Sequence, residues 1–151
     1  MYNGVTKSKR GDAMKKESFV LVCVTGQKSR TVLINAGAEL AKQKKSGLRV
    51  LSVFPKGSCF EPDYEALKEL EKCARENNAE MTVFYDDRPF IVAAALARKL
   101  NVSNIVTGFA KDAVSPFITG LHALLPDVQI SMVDDDGRIF NIIPSVIEQK
   151  I

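Results

Sequence analysis

At 151 residues with 46% apolar content, the chain has the size of one ordinary domain and enough core-forming residues to exclude wholesale disorder. No apolar run approaches the roughly 20 residues of a spanning helix, and the charged N-terminus lacks the apolar segment of a secretory signal. The expectation is a soluble cytoplasmic protein with no membrane partner. The formal charge of +3 resides in residues 1–17, where Lys7, Lys9, Arg10, Lys15 and Lys16 outnumber Asp12 and Glu17. The neutral remainder offers no electrostatic footprint for nucleic acid. Cys23, Cys59 and Cys73 match no zinc or redox spacing, and an odd count fits a reducing compartment.

The pattern predicts alternating strands and helices. Phe19 to Thr25 (FVLVCVT) is apolar on both faces, the mark of a central, doubly covered parallel strand. It runs into the polar turn Gly26-Gln27-Lys28-Ser29-Arg30, and a helix follows from Thr31 to about Lys45. Ser46-Gly47 stops it, and Leu48 to Phe54 forms the second strand. After a loop, Pro62-Asp63 opens a second helix that ends near Asn77-Asn78, with Leu67, Leu70, Cys73 and Ala74 as its apolar stripe. Met81 to Tyr85 is the third strand. Asp86-Asp87-Arg88-Pro89 then supplies an Asp cap and an early proline for a third helix, which ends at Asn101.

Asn104 to Thr107 is a short fourth strand running into Gly108. The loop to Val114 precedes Ser115-Pro116, which reads as the cap and first turn of a fourth helix. Val128 to Val133 is the fifth strand. Asp134-Asp135-Asp136-Gly137 is a turn, and Arg138 to Ile143 returns as an antiparallel sixth strand, since the connection is too short for a crossover.

This order predicts an α/β three-layer sandwich: an open five-stranded parallel sheet, Rossmann-like, with an antiparallel C-terminal sixth strand. Residues 1–17 read as a basic, flexible leader, 18–144 as one domain and 145–151 as a tail.

In open α/β sheets, ligands bind outside the carboxyl ends of the strands. The Thr25 to Arg30 turn is therefore one candidate lip: Gly26 permits a tight backbone, Ser29 caps the helix, and Lys28 and Arg30 can neutralise a phosphate. The plainer alternative is a capped turn with solvated cations. Gly108 to Ser115 is the other candidate, with Lys111 as a point charge; the alternative there is a plain loop chosen for its cap. Asp86 and Asp87 read as a cap plus a solvated charge, and the Asp134–Asp136 run lacks the spacing of a calcium loop. His122, the sole histidine, lies on the polar side of the fourth helix without a Ser or Cys motif beside it. No nucleophile elbow, P-loop or dinucleotide fingerprint occurs, so no catalytic and no metal-ligating residue is assigned.

VLVCVTGQKS with its helix, DDRPFIVAAALARKLNVSNIVTGFAK and LLPDVQISMV together resemble a universal stress protein over about residues 18–134. They are most similar to the universal-stress-protein-like region of bacterial potassium-sensor histidine kinases. The resemblance implies the adenine-nucleotide alpha hydrolase type of fold. It also implies a regulatory binding module in a stress, potassium or osmotic response, with ATP or AMP as ligand and a homodimer formed through the C-terminal strands.

Carried over by position, Thr25 stands where nucleotide-binding members have an Asp, and Val53 falls at the backbone position that holds the adenine. Gly108 matches the first glycine of the phosphate loop, Lys111 replaces the second, and Ser115-Pro116 falls near the distal Gly-Ser/Thr pair. Gly108 to Ser115 spans seven positions against thirteen in the family pattern, and Pro116 removes an N–H donor, which argues against a triphosphate cradle of the family type. Two readings follow. One is a module binding an adenine nucleotide or another small phosphorylated ligand around Thr25, Gly26, Lys28, Ser29, Val53, Gly108, Lys111 and Ser115. The other is a homodimeric interaction protein without a nucleotide. An enzyme acting on a nucleotide is a third, weaker reading.

Overall fold

The run FVLVCV forms β1 (Phe19–Val24), and its residues from Val20 onward are buried. The computed structural model describes residues 17–24, 31–54, 64–108, 116–134 and 136–142. After β1 come α1 (Thr31–Lys44), β2 (Gly47–Phe54), α2 (Tyr64–Glu76), β3 (Glu80–Tyr85) and α3 (Pro89–Leu100). Then follow β4 (Val102–Gly108), α4 (Pro116–Leu124), β5 (Gln129–Val133) and β6 (Ile139–Ile142). The sheet order is β3-β2-β1-β4-β5-β6. All pairs are parallel except β5–β6, which is antiparallel, as the short connection requires.

The period of two in each strand divides the core into two halves. On one face Leu21, Leu51, Ile105 and Ile130 meet Ala93, Ala97, Ile118 and Leu121 from α3 and α4. On the other, Val20, Val22, Val50 and Val106 meet Leu33, Ile34 and Leu70 from α1 and α2. Helices therefore cover both faces, which gives the expected three layers. Gly37 lets α1 settle onto β1: a Cβ there would collide with Cγ2 of Val22 and stand 3.3 Å from Cδ1 of Leu48.

The helix ends follow from local chemistry. Lys45, Asn78 and Asn101 adopt positive φ just beyond α1, α2 and α3, the left-handed conformation that closes a helix. Ser46 N–H bonds the Ala41 carbonyl at 2.9 Å, Ala79 N–H bonds that of Ala74 at 2.9 Å, and Asn101 N–H bonds that of Ala97. At the start of α3 the expected aspartate cap is not what forms. Arg88 occupies the capping position without a side-chain cap bond. Asp86 accepts the Arg88 backbone N–H at 2.8 Å and the guanidinium Nε at 3.3 Å instead. Asp86 is held back because its own N–H continues the ladder to the Phe54 carbonyl at 2.8 Å.

β4 starts two residues earlier than its apolar run suggests. Its register against β1 shifts between Phe19 and Val20, so Phe19 faces Val102 while Val20 faces Asn104. That irregularity admits Ser103 into the strand. The β5–β6 turn is organised by buried Asp134, whose Oδ1 accepts the N–H groups of Asp136 and Arg138, each at 2.9 Å. Gly137 supplies the positive φ of 84°. The cap expected at Ser115, the opening of α2 at Pro62-Asp63, Cys59, the leader and the tail lie outside the described residues.

Candidate functional site

Strand order reverses at β1, whose neighbours are β2 on one side and β4 on the other. Their carboxyl ends gather at one rim. Cys23 pairs with Thr107, Val24 with Ser52, and Phe54 with Tyr85. Thr107 donates its buried hydroxyl to the Cys23 carbonyl at 3.1 Å, which ties β4 to β1 next to the reversal. This is the switch point at which open α/β sheets present ligand crevices, because the connections leave it toward opposite faces.

Of the residues singled out from the sequence, Val53 and Gly108 are described; Thr25, Gly26, Lys28, Ser29, Lys111 and Ser115 lie outside the described residues. Val53 packs its side chain into the core beneath α3, so only its backbone faces the rim. Gly108 ends β4 opposite Val133. The two residues belong to strands separated by β1, about two strand spacings or roughly 10 Å apart.

The structure adds residues that the sequence reading passed over. Phe54 is buried at the end of β2, and its ring centroid lies 5.8 Å from that of Tyr85 at a 35° tilt. Tyr85, at the end of the edge strand, is 53% exposed. Beneath them on the same face, the Ser52 hydroxyl is buried without a hydrogen-bond partner. The apolar context of LSVF hid this polar position. His122 is half-buried rather than on a freely solvated face, and its Nδ1 is buried without a partner. Cys23 lies in the core and burial pushes its thiol up to about 12, which keeps it protonated and unreactive. The Cys73 thiol is also raised, by burial first and by neighbouring Glu76 second.

Three cavities among the described residues open at the opposite, amino-terminal ends of the strands. The largest of these, about 510 Å3, lies between the last turns of α1 and α2, where Glu39 and Glu76 outnumber Lys42. Helix carboxyl ends present negative partial charge, so this cavity disfavours a phosphate. Among the described residues, no group of three His, Cys, Asp or Glu side chains could hold a metal ion, and no helix is long and apolar enough to cross a membrane.

No family model matches the sequence, and no curated protein matches it. Its fold does have solved counterparts. It is similar to a universal stress protein from Archaeoglobus fulgidus, with TM-score 0.58 and 17% identity, covering 76% of this chain and 92% of that one. It is similar to a universal stress protein in complex with cAMP, with TM-score 0.57 and 13% identity, covering 82% and 100%. A third is the A. fulgidus universal stress protein in complex with dAMP, with TM-score 0.52 and 15% identity, covering 71% and 90%. The chain thus has the α/β fold of universal stress proteins, and two of these fold neighbours hold adenine nucleotides.

Proposed function

We propose that the chain is a regulatory binding module of the universal stress type. It takes an adenine nucleotide, or another small phosphorylated ligand, at the carboxyl rim between β1 and β4. The observation that carries this reading is the parallel pairing of β1 with β4, which brings the carboxyl ends of the two strands, at Val24 and Gly108, to one rim. Lys28 and Arg30 fall in the sequence between β1 and α1, and the amino end of a helix favours anions. The neighbours that hold cAMP and dAMP support the ligand class. Adenosine monophosphate suits the site better than ATP, because the segment after Gly108 is too short for a family-type phosphate loop. Calorimetry with AMP, cAMP, ATP and cyclic dinucleotides tests the reading. Saturable heat with at least one of them is the expected result, and neither heat nor thermal shift at millimolar ligand refutes it.

A second reading, a homodimer without a nucleotide, draws on the outer edge of the sheet. Among the described residues β6 is the last strand of the sheet, and it leaves Ile139 53% and Phe140 43% exposed; proteins normally cover an apolar sheet edge. Light scattering that gives twice the chain mass, lost on Phe140→Lys, supports it; a monomer at all concentrations removes it.

A further inference from the structure

We propose that the chain's own basic leader, residues 1–16, docks in the trough between the last turns of α1 and α2, at the amino-terminal ends of the strands. This trough lies at the opposite end of the strands from the nucleotide rim, and its occupation does not depend on a nucleotide.

Described residues line the whole trough. The cavity of about 510 Å3 combines apolar Ala38, Ala41 and Leu48 with the carboxamides of Asn35, Asn77 and Asn78. A second cavity of about 480 Å3 shares Gly47, Leu48 and Asn78 with it and continues toward Glu17 and Glu80.

The leader ends at the lip of this trough. Ser18 Oγ lies 2.9 Å from Ser46 Oγ, and Ser46 lines the larger cavity. The Ser18 carbonyl accepts the Gly47 N–H at 3.0 Å, and Gly47 lines both cavities. On the other side Asn101 Nδ2 donates to the Glu17 carbonyl at 3.1 Å. Residues 17 and 18 are thus fixed between α1 and α3. Lys15 and Lys16 stand three and two positions before Ser18, a backbone reach of roughly 10 Å at most.

Charge selects the occupant. Residues 1–16 carry Lys7, Lys9, Arg10, Lys15 and Lys16 against Asp12. In the larger cavity Glu39 and Glu76 outnumber Lys42, and two helix carboxyl ends add negative partial charge. Lys44 and Lys45 stand at the end of α1 without lining that cavity. The cations of the second cavity are already engaged: Arg49 lies 3.1 Å from Glu80 and over the Phe19 ring, and Arg75 lies 2.7 Å from Glu71. Each exposed ion pair is worth little alone. A cationic segment tethered at the lip, however, meets these carboxylates at the effective concentration of an intramolecular partner.

Carbodiimide cross-linking of the full chain, which joins an amine to a carboxylate in direct contact, tests the docking. Isotope-labelled and unlabelled chains are mixed, so that mass spectrometry tells links within a chain from links between chains. Within-chain links from Lys15 or Lys16 to Glu39 or Glu76 are expected to outnumber those to Glu65 and Glu69, which are exposed on α2. They are expected to be lost in about 1 M salt, where the screening length falls to about 3 Å. The paired leader variant Lys15→Gln, Lys16→Gln is expected to shift the NMR amide signals of Ala38, Ser46 and Asn78 and to leave those of Ile139 to Ile142 in place. Both substitutions precede β1, and the cross-linking arm needs no variant. Links spread alike over all exposed carboxylates, or cavity amides unmoved by the leader variant, overturn the proposal. So do links that form only between chains, which assign the trough to the leader of a second copy.

Discussion

Thr107 and Cys23 are joined by a hydrogen bond of 3.1 Å from the Thr107 hydroxyl to the Cys23 carbonyl, made in the dry centre of the sheet where two strands 84 positions apart lie side by side. The bond supplements the ladder at the point where the connections diverge. Thr107→Val preserves the branched shape and removes only the donor. It is expected to cost about 1 kcal/mol of stability, read from urea denaturation at an unchanged slope. A loss near zero would show that the carbonyl is fully satisfied by the ladder.

Gly37→Ala tests the contact between α1 and β1. Alanine improves helix propensity by about 1 kcal/mol, but its methyl group would enter the space of Val22, which is fully buried. Overpacking of this kind costs about 1–3 kcal/mol. The expected outcome is net destabilisation, with a melting temperature several degrees lower. Combined with Val22→Ala, the loss should be smaller than the sum of the two single losses.

Asp134→Ala tests the turn that returns β6 to the sheet. The Asp134 carboxylate accepts two backbone N–H groups inside the fold, and alanine would leave both without that acceptor. A loss of about 1–3 kcal/mol is expected. Hydrogen exchange should quicken first at the amides of Ile139 to Ile142 and little at those of β1.

Cys23 sets an alkaline limit. Its thiol is raised in the folded state from 9.0 to about 12 by burial, so the unfolded chain releases the proton first. The contribution is complete below pH 9 and is lost as pH rises from 9 toward 12. Cys23→Ala is less stable at neutral pH, because a core side chain is truncated. Its stability should fall less steeply than that of wild type between pH 9 and pH 11, followed by denaturant titrations at fixed ionic strength. Parallel curves would contradict this assignment.

How far the sequence reaches depends on what sets each feature. β1, β2, β4 and β5 are legible because strands covered on both faces need near-continuous apolar runs. The antiparallel return of β6 is legible from the length of its turn. The start of β4 is not, because Ser103 enters through a register shift that depends on the fit of Phe19 against Val102. The cap of α3 is misjudged for a similar reason: Asp86 has the right chemistry, but the ladder to Phe54 fixes it too early in the chain. At the rim, Val53 and Gly108 are singled out by resemblance as candidates. Tyr85 is not, since MTVFY reads as a strand whatever its place in the sheet, and its exposure comes from β3 being at the edge. The orphan Ser52 hydroxyl and the half-buried His122 depend on tertiary packing that no local pattern encodes.

The bond between Thr107 and Cys23 also has a bearing on biosynthesis. A ribosome making about 5–20 residues per second needs on the order of 4–17 s to deliver Thr107 after Cys23, given their separation of 84 positions. For that interval the middle strand of the finished sheet has one flank without its mate. In a nascent chain of this design, that flank of the sheet closes only once the fourth strand has left the exit tunnel.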